Sequence, residues 1–251
     1  MGLRGIGAGP VDRPTPRKRG RPPKKKPWEL PGLSRAERVR AFIESLPITS
    51  GVHAGKPFKI RDWQWSEIIE PLYATDDAGR RRKRKALVTI PRKNGKTQLA
   101  AALALCHLVG PEAEQRGQVY SAAADRKQAA LILKELVAFV RAVEWLSKRL
   151  IIREHSKTLE DVITGSTYEA LSSDARKAHG LNVSFAIMDE LAQWPKRDLY
   201  DALTTGGAAR AEPLYVTIST QSHDKNSVMS EMVQYAERVR DGVIVDDTFL
   251  P

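Results

Sequence analysis

Lys96 and Thr97 close the segment Pro91-Arg92-Lys93-Asn94-Gly95-Lys96-Thr97, and Asp189 and Glu190 close the apolar run from Val183 to Met188. These are the groups that phosphoryl transfer asks of a protein. An ammonium reaches the β- and γ-phosphate oxygens, a hydroxyl and one carboxylate take Mg²⁺, and a second carboxylate orients the attacking water. A lone Gly-Lys-Thr arises by chance, and a lysine at a helix start is usually solvated. Either acid alone could cap a helix beginning at Leu191. A buried-type strand aimed at an acidic pair, together with a Gly-Lys-Thr elsewhere in the chain, points to a nucleoside triphosphatase.

The elements that must position these groups follow from the flanking residues. Ala86-Leu87-Val88-Thr89-Ile90 reads as a strand, and the Ala- and Leu-rich stretch after Thr97 reads as a helix to about Val109, ended by Gly110 and Pro111. Between them lies a phosphate loop whose backbone N–H groups face the anion. It departs from the usual pattern, because Ile90 stands where the first glycine is expected and Pro91, Arg92 and Lys93 follow. Val183 to Met188 is a second strand with its acids at the carboxyl end, the edge where parallel sheets bind ligands.

Further strands are predicted at Gln118 to Ala122 and Leu214 to Ser219, and helices at Ser34 to Ser45, Asp125 to Arg141 and Val228 to Arg240. Ser34 with Glu37 forms a capping box in sequence. Residues 150–171, with Thr164-Gly165-Ser166 as a turn, suggest a hairpin. Alternating strands and helices around a phosphate loop imply an α/β fold with a mostly parallel sheet flanked by helices. Upstream, Gln64 can pair with the donor and acceptor of an adenine edge while a neighbouring aromatic, Trp63, packs beside the base.

With 251 residues and 41% hydrophobic content, the chain suffices for one large α/β domain. No apolar run approaches bilayer length and no signal-peptide core opens the chain, so a soluble intracellular protein is expected. The single cysteine, Cys106, permits no intrachain disulfide and suggests packing. The net charge of +11 is concentrated in two places. Residues 1–27 carry nine Lys/Arg against Asp12 alone, and six cations run from Arg80 to Lys85. The rest is slightly acidic, so two local polyanion contacts would account for the charge.

The tail from 1 to 27 has almost nothing to bury and is expected to be disordered, with an ordered domain over 28–251. Lys18-Arg19-Gly20-Arg21-Pro22 resembles an AT-hook, which would place Arg19 and Arg21 in the minor groove of A·T-rich DNA. A solvated basic tail with nonspecific electrostatic affinity is the plainer reading and the preferred one. Arg81 and Arg82 are the DNA-contact candidates of the second run, against a solvated loop ahead of the central strand.

Together, Trp63-Gln64, the phosphate-loop segment, Ala178-His179-Gly180-Leu181-Asn182, Ile187-Met188-Asp189-Glu190 and Ser219-Thr220-Gln221 resemble the ATPase part of a tailed-bacteriophage terminase large subunit. The resemblance runs from about Trp28 to the end, where Asp246-Asp247-Thr248-Phe249-Leu250-Pro251 is similar to the junction with the family's nuclease domain. It implies an ASCE-type P-loop NTPase that uses ATP and Mg²⁺ to drive double-stranded viral DNA into a procapsid. It also implies a homo-oligomeric ring in the host cytoplasm, docked transiently on the procapsid, with a portal and a small terminase subunit as partners. Residue by residue, Lys96 holds the β/γ-phosphates, Thr97 and Asp189 the Mg²⁺ shell, and Glu190 activates water. Arg92 resembles the phosphate-sensing cation, Gln64 reads adenine, and Ser219 with Thr220 couples phosphate state to movement. Some relatives carry a trans-acting arginine where His179 stands here; Arg176 is the candidate, because a neutral imidazole replaces a guanidinium poorly. A nuclease domain is expected to be absent, and the adjacent Asp246 and Asp247 are not read as a metal site. A helicase-like ATPase and a DNA-binding module with an inactive phosphate loop are the alternatives.

Overall fold

In the computed structural model, residues 25–91, 94–172, 180–220 and 227–251 are described. Residues 1–24 of the expected tail, with Arg19 and Arg21, the loop cations Arg92 and Lys93, the finger candidate Arg176 and its neighbour His179, and Gln221 lie outside them, whereas Pro27, the last residue assigned to the tail, already opens a helical turn, Pro27–Glu29.

Eight strands form one sheet: β1 Lys85–Thr89, β2 Gln118–Ala123, β3 Leu150–Arg153, β4 Thr158–Asp161, β5 Thr167–Ser172, β6 Val183–Asp189, β7 Leu214–Ser219 and β8 Phe249–Leu250. Their order is β3-β4-β5-β2-β6-β7-β1-β8. From β5 to β8 every neighbouring pair is parallel, and only β3, β4 and β5 pair antiparallel. The expected hairpin is therefore a three-stranded meander, with Thr164-Gly165-Ser166 between its last two strands. Strand β7 separates β1 from β6, so the phosphate-loop strand and the acidic strand are next-nearest neighbours.

Alternation along the strands divides the core into two layers. Ala86 and Val88 of β1, Phe185 and Ile187 of β6, and Val216 and Ile218 of β7 face one side. They meet α1 Arg35–Glu44, α4 Lys96–Val109 and α5 Arg126–Ala142. Leu87, Ala186, Met188 and Tyr215 face the other, against α7 Asp198–Thr205 and α8 Val228–Arg240. Helix α4 is buried on almost all sides, from Leu99 to Val109, which is why its sequence is apolar throughout rather than amphipathic. Helix α1 starts with the predicted box: Ser34 Oγ accepts from the Glu37 N–H and the Glu37 carboxylate from the Ser34 N–H.

Ahead of β1, a short helix α2 Asp62–Gln64 runs through a π-helical turn, Trp65–Ile69, into α3 Glu70–Leu72. Two α-helices, α6 Glu144–Arg149 and α7, and the strand β8 were not predicted. Among the described residues no helix is long and apolar enough to cross a membrane.

Candidate active site

The parallel register aligns the carboxyl ends of the three strands that matter. Thr89 of β1 lies opposite Ser219 of β7, and Ile218 of β7 lies opposite Asp189 of β6. Whatever follows β1, β6 and β7 therefore emerges at one edge. Gly95, at φ +74°, turns the chain from the loop into α4, a conformation that costs glycine nothing and a side chain about 1–2 kcal/mol. Lys96 and Thr97 are the first two helical residues, where free N–H groups and the helix dipole favour an anion.

Lys96 is ion-paired to Glu190 Oε1, with Asp189 Oδ1 3.8 Å from the same ammonium. Glu190 Oε2 accepts from Thr220 Oγ1 at 3.0 Å and from the Thr220 N–H at 3.4 Å. Ser219 Oγ accepts from the Ala192 N–H at 3.2 Å and donates to the Thr220 carbonyl at 2.9 Å. The structure thus brings Lys96, Asp189, Glu190, Ser219 and Thr220 together from three strand ends. Glu190 adopts a left-handed backbone, φ 50° and ψ 47°. That strained turn is held by its N–H to the Ile218 carbonyl, its carbonyl to the Gln193 N–H, and its carboxylate to Lys96 and Thr220.

The two acids are pushed apart in acidity. Burial lifts Asp189 above the ordinary aspartate range, with the Glu190 charge adding and Lys96 opposing. Burial also acts to raise Glu190, but the Lys96 ammonium and the Thr220 donors outweigh it and hold Glu190 below the usual glutamate range. Thr97 and Asp189 supply only oxygen donors, the set Mg²⁺ takes, and Asp189 already faces a cation in Lys96. The residues present fit that ion.

A narrow cleft beside the loop is lined by Ile48, Phe58, Arg61, Gln64, Gly95 and Gln98, among others. Gln64 is buried there, and its Oε1 accepts from the Arg61 N–H at 3.0 Å. Arg61 Nη1 reaches across to Asn94 Oδ1 at 3.2 Å, and Asn94 Nδ2 donates back to the Pro91 carbonyl. Trp63 is not in this cleft. It is 38% exposed and lines a separate groove with Glu67, Thr89, Ala236 and Arg240, because consecutive residues on a helical turn diverge by roughly 100°. The aromatic wall beside Gln64 is Phe58. Phe58, Arg61 and Gln98 were not singled out from sequence; the Phe-x-x-Arg-x-x-Gln spacing that ends at Gln64 was the available signal for the first two, and the place directly after Thr97 for the third.

Arg81 is corrected as a DNA-contact candidate. It is 3% exposed, with Nη1 on Glu112 Oε2 at 3.0 Å and Nη2 on the Glu212 carbonyl, so its guanidinium faces inward. Lys83 Nζ and Arg84 Nη1 donate to the Phe249 and Ala211 carbonyls. Arg82 remains exposed. Asp246 accepts from the Tyr235 hydroxyl and from Thr248, a local turn network.

The family model of the terminase large subunit ATPase domain matches residues 63–238. The large terminase subunit of Enterobacteria phage HK97 is 37% identical over 216 residues, which are 85% of this chain and 42% of that protein. The crystal structure of the HK97 bacteriophage large terminase superposes with a TM-score of 0.75 at 35% identity, covering 87% of this chain and 43% of the other. The chain therefore spans less than half the length of this relative.

Proposed function

The chain belongs to the terminase large subunit ATPase family, and we propose that it hydrolyses ATP with Mg²⁺ to drive double-stranded viral DNA into a procapsid. The observation that carries the proposal is the meeting of Lys96, Asp189, Glu190 and Thr220 at the carboxyl ends of β1, β6 and β7.

Lys96 binds the β/γ-phosphates, and leaving Glu190 for them frees that carboxylate to orient water. Thr97 and Asp189 would hold the metal, which would supply positive charge against the negative charge that develops in phosphoryl transfer. Gln64, against Phe58, receives adenine, with Asn94, Gly95, Arg92 and Lys93 around the phosphates. Thr220 senses whether Glu190 is engaged, which is the coupling role assigned to Ser219 and Thr220. Arg176 is proposed as the finger supplied to a neighbouring subunit of a ring. Arg82, and Arg19 and Arg21 in the tail, are proposed to contact DNA phosphates, with the portal and small terminase subunit as further partners. The host cytoplasm, with transient docking on the procapsid, is the proposed setting.

The test is ATP turnover per subunit against protein concentration, with and without double-stranded DNA, for the wild type and Glu190→Ala. Turnover that rises with concentration, responds to DNA and vanishes in the variant is expected. Turnover independent of both concentration and DNA would contradict an assembling motor.

A further inference from the structure

Resting on the ATP-site reading above, we propose that Gln98 reads the nucleoside end of the nucleotide and that Thr49 and Glu135 fix the orientation in which it does so. Glu135 lies on α5, Thr49 in the segment after α1, and Gln98 directly follows Thr97 on α4. The Thr49 hydroxyl donates to Glu135 Oε2. A carboxylate only accepts and a hydroxyl has one proton, so the Thr49 oxygen can only accept from Gln98. It does so from Nε2, at 2.8 Å. This fixes which end of the Gln98 amide is nitrogen and turns its carbonyl the other way.

Gln98 lines the cleft that also holds Phe58 and Gln64. Among the described residues no donor bonds Gln98 Oε1. On Gln64, Oε1 is taken by the Arg61 N–H, which leaves the amide NH₂ without a partner among the described residues. The cleft therefore presents one fixed acceptor and one fixed donor. An acceptor held in this way selects an N–H or O–H donor on the nucleoside, either the 6-amine of adenine or the ribose 2′-hydroxyl. Where that donor is the 6-amine, the carbonyl of Gln98 repels a purine that carries a carbonyl at the same place. Thr49 and Glu135 are positioning residues: neither lines the cleft, yet they decide which face Gln98 turns to it.

The test measures binding, not turnover. The full chain with Mg²⁺ is titrated with the β,γ-imido forms of ATP, 2′-deoxy-ATP, a purine nucleotide lacking the 6-amine, and GTP. The wild type is expected to favour ATP by about fivefold or more over the nucleotides that lack the recognised donor, 2′-deoxy-ATP if it is the 2′-hydroxyl, or GTP and the purine without the 6-amine if it is the 6-amine, the yield of a single hydrogen bond. Which of these is disfavoured identifies the donor. Thr49→Val, of nearly the same shape, should still bind but lose the preference to within about twofold, and Thr49→Ser should keep it. Gln98→Leu should lose it as well, which serves if Thr49→Val does not fold. Unchanged preference in Thr49→Val or Gln98→Leu overturns the proposal, as does a wild type that binds all four alike. A wild type that binds none of them overturns the ATP-site reading first, and this inference with it.

Discussion

At the scale of single residues, Lys96 is the counter-charge that lets two adjacent carboxylates, Asp189 buried and Glu190 half-buried, sit at one sheet edge. Its removal should show in stability as well as in binding. In Lys96→Ala the pKa of Asp189, already lifted by burial, rises further above its unfolded value, and Glu190 loses the ammonium that holds it down, so the variant loses stability as pH rises through the carboxylate range and regains it on acidification. Urea denaturation at neutral pH and near pH 4.5 tests this; a deficit independent of pH would contradict it. Lys96, Thr97, Asp189 and Glu190 were legible because each sits at a fixed offset from an apolar strand, and strand ends are what sequence marks best. Gln64 was legible for its type. The choice between Trp63 and Phe58 as its aromatic neighbour was not, since tertiary packing of the helical turn decides which side chain enters the cleft. Arg81 misled for the opposite reason: a cation inside a basic run looks solvated until the acids that meet it, Glu112 and Glu212, are brought from far along the chain.

At the scale of elements, the central strands and long helices were read nearly residue for residue. β7 and α8 match their predicted spans, and α4 begins one residue earlier than expected. The meander was read as one hairpin because its first turn, residues 154–157, carries no glycine or proline; Lys157 itself takes the left-handed place at φ 57°. Two-residue β8 and its pairing with β1 have no sequence signature. The meander is anchored by Asp161, which accepts from Arg149 Nε and Nη2 at 2.7 and 2.6 Å and from Thr164 Oγ1 at 2.6 Å. Burial acts to raise its pKa, but those donors and the Ile163 N–H bring it down to about 2. Because the folded value lies below the unfolded one, its contribution is complete above about pH 4 and fades as pH falls toward 2. Asp161→Asn should cost about 3 kcal/mol at neutral pH, leaving Arg149 without its charge partner, and the gap to wild type should close between pH 4 and 2. A gap that stays constant across that window would argue against the pair.

At the scale of the whole molecule, one ion-pair network ties segments far apart in sequence. Arg35 of α1 grips Glu112 through Nε and Nη2 and Glu212 through Nη1. Arg81, in the segment before β1, joins Glu112 through Nη1 and the Glu212 carboxylate through its backbone N–H. Glu212 stands two residues ahead of β7, so the network ties the amino ends of β1 and β7, two of the strands whose carboxyl ends form the site. Arg81→Ala should therefore destabilise the fold by about 2–4 kcal/mol, with Glu112 left short of a partner. Arg82→Ala should change stability by less than about 0.5 kcal/mol and instead weaken the salt dependence of DNA binding. Equal effects of the two on stability would contradict this division of the basic run.

Three strand ends assemble one site, and the role proposed for Glu190 in it is to activate water without being needed for binding. That role is tested most directly by measuring Mg²⁺-ATP affinity and single-turnover hydrolysis in the wild type, Glu190→Gln and Lys96→Ala. Glu190→Gln is predicted to bind within a few-fold of wild type and to hydrolyse at least about a hundredfold more slowly, while Lys96→Ala loses binding. A Glu190→Gln variant that hydrolyses ATP at the wild-type rate would contradict the account.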